Sequence, residues 1–86
     1  MDIKEAIEKA KAKGLYVGDV VRVTNWIHKR LELEILPSTF RTGETSNVRV
    51  LPSGEIATIG RVELVQWIAQ EDTEVIRKGT KEEVKI

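Results

Sequence analysis

Between Val17 and Ala69, apolar and polar residues alternate in short runs, and each run stops at a turn-forming residue. A two-residue period lines one set of side chains along one face of a strand, so such runs read as half-buried strands. In "YVGDVVRVT" the pattern sets Val17, Val21 and Val23 on one face, with Gly18-Asp19 as the turn that launches the strand. In "LELEI" it sets Leu31, Leu33 and Ile35 inward and Glu32 and Glu34 outward. Pro37, which has no N–H to give to a ladder, stops that strand. "NVRVL" places Val48 and Val50 inward and Arg49 outward, "PSG" turns the chain, and "EIATI" returns until Gly60 breaks it. "RVEL" suits a single 3₁₀ turn, after which "VQWIA" alternates Val65, Trp67 and Ala69 against Gln66 and Ile68. Five short strands with a turn signal between each predict a mainly β chain closing into a small barrel.

The ends read differently. In "MDIKEAIEKAKAKG", Asp2 is placed to cap a helix and Glu5 stands three positions on, as in a capping box. Ile3, Ala6, Ile7 and Ala10 fall on one helical stripe, and Gly14 stands where a left-handed residue would end the helix, with Leu15 folding back on Ala10. The stripe is narrow, so this helix covers an end or an edge and is not the core. The tail "EDTEVIRKGTKEEVKI" leaves three readings open: an added strand around Val75-Ile76 and Val84-Ile86, a helix capped at Thr80 to Glu83, or a mobile end. The chain therefore divides into a helix over 1–14, a barrel over 15–70 and a flexible or added-strand tail over 71–86.

Composition removes several function classes. A chain of 86 residues has room for one core, and about 60–65% of its unfolded surface can be buried. It has no cysteine, which excludes disulfides, thiolate nucleophiles and cysteine-based metal sites. Fourteen basic and fourteen acidic residues cancel, split four to three over 1–13, six to six over 14–70 and four to five over 71–86. No segment carries the basic excess through which nucleic-acid binders neutralise phosphate. No apolar run is long enough to span a membrane, and no secretory leader precedes the first helix, so the expected location is cytoplasmic.

The stretch "YVGDVVRV" resembles the opening of SH3-like small barrels, with their Val-Gly-Asp step into the first strand. "VRVLPSGEIATIGRVELVQWI" is similar to their closing half: strand, tight turn, strand, short 3₁₀ turn and last strand. Tudor-like, KOW-like and small phage-encoded barrels share these parts, as do accessory subunits of some photosynthetic redox complexes. The resemblance covers residues 16–68 and implies a fold without a function, because small barrels host many unrelated tasks. A helix before a five-stranded barrel is also similar to the Sm/Hfq architecture, which would imply an RNA-binding ring. That family's Asp-x-Met-Asn type of loop is missing here, and "LPSGEIATIG" is not its second motif.

Catalysis finds little support in the residues. The one histidine, His28, lies in a polar loop with no convergent ligands, so neither a metal nor another cofactor is expected. Ser53 is explained by its turn between Pro52 and Gly54, and the carboxylates Glu32, Glu34, Glu55 and Glu63 sit on solvent faces. Trp67 alternates with core positions. Trp26 instead heads a loop beside Ile27, His28, Lys29 and Arg30, which makes either a contact patch or a cap on one open end of the barrel. Phe40-Arg41 stands mid-way in the ten-residue loop "PSTFRTGETS", longer than strand pairing needs. Phe40 there serves a contact or anchors its own loop, and the contact is the preferred reading.

The expectation is a non-catalytic interaction module or accessory subunit. It would bind a protein partner or its own copy through Trp26, Ile27, Lys29, Arg30, Phe40 and Arg41. The alternative is a nucleic-acid-binding barrel using Arg22, Lys29, Arg30, Arg41 and Arg49, although Glu32, Glu34 and Glu63 compete to pair with those arginines.

Overall fold

In the computed structural model, residues 2–40, 44–79 and 82–83 are described. The first helix, α1 (Ile3–Ala12), begins as its sequence dictates: the Asp2 side chain accepts from the Glu5 N–H at 2.8 Å. The chain leaves the helix through Gly14, at φ +65°, a left-handed turn that glycine makes without steric cost. Ala6, Ala10 and Leu15 are all buried.

Four strands follow as a meander: β1 (Val20–Thr24), β2 (Arg30–Ile35), β3 (Thr45–Leu51) and β4 (Glu55–Gly60). A second helix, α2 (Arg61–Ala69), then leads to β5 (Glu74–Arg77). All five strands form one antiparallel sheet in the order β4-β3-β2-β1-β5. The protein is mainly β, with two helices.

The register explains the alternation. Val21 pairs with Leu33 and Val75, Leu33 with Val50, and Ile35 with Val48, which in turn faces Ala57. These residues line the face that α2 covers, where it lies against β1, β3 and β4, while α1 packs on α2. The opposite face carries cross-strand ion pairs, with Ile56 exposed beside Arg49.

Two expectations are corrected. "VQWIA", read as the fifth strand, is helical: Leu64, Val65, Trp67, Ile68 and Ala69 are all buried, which no half-exposed strand permits. The "RVEL" segment is the start of that helix and not an isolated 3₁₀ turn. The fifth strand lies further on, within the tail, where 74–77 pairs with β1. The closure into a barrel is also not seen, because the sheet stays open with β4 and β5 as its edges. The helix replacing the expected strand fills the covered face between the sheet and α1, and β4 runs directly into it. Thr80, the capping residue of the proposed Thr80–Glu83 helix, and the Val84-Ile86 pairing lie outside the described residues.

The segment after β5 is fastened to the loop before β1. Asp19, fully buried, accepts from the N–H of Tyr16 at 3.0 Å and from the N–H of Gly79. The Lys78 ammonium lies 3.8 Å from the same carboxylate and 5.6 Å from the centre of the Tyr16 ring. Val17 donates to the Glu82 carbonyl, and Tyr16 bridges Glu83.

Candidate partner-binding site

The β1–β2 hairpin ends in Asn25-Trp26-Ile27-His28, and Asn25 organises it. The Asn25 carbonyl accepts from the His28 N–H at 3.0 Å, and its side-chain oxygen accepts from the N–H groups of Ile27 and Lys29 at 3.1 and 2.9 Å. The Asn25 N–H donates to the Lys29 carbonyl at 2.9 Å. His28 sits at φ +63°. A turn closed by a left-handed residue is a normal three-residue hairpin loop, but that last position usually belongs to glycine.

Trp26 and Ile27 occupy the two central positions of this turn, and neither makes a bond that shapes it except through the backbone. Trp26 is 72% exposed and Ile27 60%. Trp26 therefore stands in solvent and does not cap an end of the fold. The same turn brings Lys29 and Arg30 to the base of the tip, both exposed. His28 is exposed too, in line with a solvated loop residue.

Phe40 is placed elsewhere. It is 8% exposed and belongs to the core cluster, so it anchors its own loop and is unavailable as a contact. Thr39 beside it is fully buried; its hydroxyl accepts from the Leu36 N–H at 2.8 Å and donates to the Asn47 carbonyl at 2.7 Å. Much of the loop's length is thus spent on being pinned. Arg41, named in both binding readings, lies outside the described residues.

Arg22, Arg30 and Arg49 of the nucleic-acid reading share the outer face of the sheet, and each meets acid there. Arg22 lies 2.9 Å from Glu32 and 3.6 Å from Glu74, on the two strands flanking its own. Arg30 lies 3.3 Å from Asp72 and 3.9 Å from Glu74. Arg49 lies 3.9 Å from Glu34, which also meets Arg77 at 3.5 Å. Cross-strand pairing has turned the basic stripe into a neutral lattice. Lys29 has no ion pair among the described residues.

Next to the tip lies an open cleft of about 510 Å³, bounded by Lys29 and Arg30 on one side and by Leu51, Pro52 and Ser53 on the other. Sequence reasoning did not find this cleft, because it arises from a mismatch between strand ends. The signal was present all the same. Given the rung Leu33↔Val50, the "PSG" turn ends β3 while β2 still has residues to pair. Among the described residues no group of three or more acidic or histidine side chains could hold a metal ion, and no helix is long and apolar enough to cross a membrane.

Comparison with protein-family models, with curated proteins and with solved structures finds no match to the chain.

Proposed function

We propose that the chain is a non-catalytic, SH3-like interaction module that captures a protein partner, or a second copy of itself, through the β1–β2 tip. The observation that carries the proposal is the pairing of Trp26 with Ile27 at the centre of a turn, exposed and without a part in the core. Large apolar side chains are costly in water, and tryptophan is among the residue types that dominate binding energy at interfaces. The SH3-like reading is supported by the strand order, with β1 between β2 and β5, and by the helical segment separating β4 from β5.

The nucleic-acid alternative is less well supported, since Arg22, Arg30 and Arg49 stand among as many carboxylates and give the sheet face no net positive charge. Affinity capture from cells of the source organism, with wild type and Trp26→Ala compared by quantitative mass spectrometry, tests the proposal. The expected result is a protein retained by wild type and lost in the variant, with the two melting alike. Sedimentation of the purified chain covers self-association in the same way. Retention unaltered by Trp26→Ala in both experiments contradicts the proposal. Binding to an oligonucleotide that falls steeply with added salt would establish the alternative.

A further inference from the structure

Strand β2 extends past the point where β3 can follow it. The last rung between them is Glu32↔Leu51, whereas β1 accompanies β2 as far as Thr24↔Arg30. In an antiparallel sheet, alternate residues direct both backbone groups to opposite neighbours. Lys29 gives its carbonyl to Asn25, on the β1 side. The next residue, Arg30, therefore directs its N–H and C=O the other way, into the space that β3 vacates when it turns at Pro52. That space is the open cleft beside the tip.

The two faces of the cleft differ in chemistry. Leu31 and Val50 belong to the apolar face of the sheet, and Arg22 and Arg30 to the charged one. The lining holds Arg22, Lys29 and Arg30 with Glu32; Asp72 and Glu74 pair with the two arginines from beside it, so Lys29 is the cation there that has no ion pair among the described residues.

We infer that this cleft takes an extended peptide of alternating apolar and acidic residues, added as a short strand beside Arg30. The inference reaches beyond the tip, and rests on the preceding reading only in taking the partner to be a protein. An unpaired strand edge offers one donor and one acceptor in the sheet plane, which an extended backbone satisfies. The side chains of an added strand alternate between faces, so one set meets Leu31 and Val50 while the other meets the guanidinium groups. The ion pairs of Arg22 and Arg30 with Glu74 and Asp72 are solvent-exposed, so an incoming carboxylate displaces them at small cost. A nucleic-acid strand fits less well, since a sugar–phosphate backbone has no alternating amide donor and acceptor and would leave the Arg30 backbone unpaired.

The test is a titration of the isotope-labelled full chain, followed by amide chemical shifts, with four probes. These are a terminally blocked valine–aspartate hexapeptide, its valine–lysine counterpart, the aspartate peptide N-methylated on alternate amides, and an oligothymidylate of equal length. The aspartate peptide is expected to give saturable shifts at Lys29–Leu31 and Val50–Ser53, with affinity about tenfold above that of the lysine peptide. N-methylation and, separately, Lys29→Glu are each expected to weaken it about fivefold, the variant melting like wild type. No saturable shift in the cleft, equal affinity for the two charge patterns, indifference to N-methylation or tighter binding of the oligothymidylate would each overturn the inference. Saturation of the cleft alongside unchanged partner capture by Trp26→Ala would sink the tip reading alone. Loss of capture in that variant with no peptide response would sink the cleft alone.

Discussion

Asn25 supplies the hydrogen bonds that close the first hairpin, so its two neighbours carry no share of the turn's construction. Nearby His28 holds a left-handed conformation that costs an ordinary residue about 1–2 kcal/mol and glycine almost nothing. His28→Gly should therefore raise stability by about 0.5–1 kcal/mol once glycine's greater freedom in the unfolded chain is subtracted, measurable by urea denaturation. Thr39 is the opposite case, where a polar side chain is fully committed to the fold. Thr39→Val keeps the shape but leaves the Leu36 N–H and the Asn47 carbonyl without their partner in a partly buried site, and should lower stability by about 1–2 kcal/mol in the same assay. Sequence alone could not separate Phe40 from Trp26, because both are aromatics in polar loops. Their fates are decided by neighbours: Thr39 pulls Phe40 into the core, whereas Asn25 closes a turn too tight for Trp26 to fold back.

Among the elements, α1 and β1 to β4 were legible because each carries its own punctuation: a cap, a glycine, a proline or a turn. The α2 helix was not, although its buried set, Leu64 with Ile68 and Val65 with Ala69, repeats every four residues. Its β-branched Val62, Val65 and Ile68 favour strands locally, and packing between sheet and α1 overrides that preference. Ile68 gives the clue, since a strand with Trp67 inward would put it in water, and it is fully buried. At the C-terminal end of α2 the Thr73 hydroxyl donates to the Trp67 carbonyl at 2.6 Å, satisfying one of the acceptors a helix end leaves open. The attachment after β5 depends on Gly79, where a Cβ would collide with the Val17 carbonyl and the backbone of Gly18 and Asp19. Gly79→Ala should detach that segment, so that hydrogen exchange at the Val17 amide, bonded to Glu82, rises about tenfold or more while core strands stay protected. Unchanged protection there would show that the segment is held by other means.

At the scale of the molecule, the chain solves the small-protein problem by laying two helices on one face of an open sheet and charge pairs on the other. With no cysteine, that layering has to hold without covalent staples, and Trp26 and Ile27 are the most exposed of the large apolar side chains it leaves outside, ahead of Ile56 and Val62. The open sheet was not foretold, since closure depends on how the element after β4 packs and not on alternation within strands. The cleft stayed hidden for a related reason, as it lies between strands of unequal reach. The outer lattice makes one further outcome definite. Its pairs are half-buried to exposed and mutually cancelling, so raising salt from low to molar concentration should shift the melting midpoint by no more than about 5 °C, a stability change of about 1 kcal/mol for a domain of this size.

All of this places Trp26 and Ile27 outside the fold's own needs, and equilibrium unfolding of Trp26→Ala/Ile27→Ser against wild type tests that placement most directly. The account predicts a stability within about 0.5 kcal/mol of wild type and an unchanged denaturant slope, as for surface residues free of structural duty. A loss of about 2 kcal/mol or more, the signature of a truncated core, would contradict it.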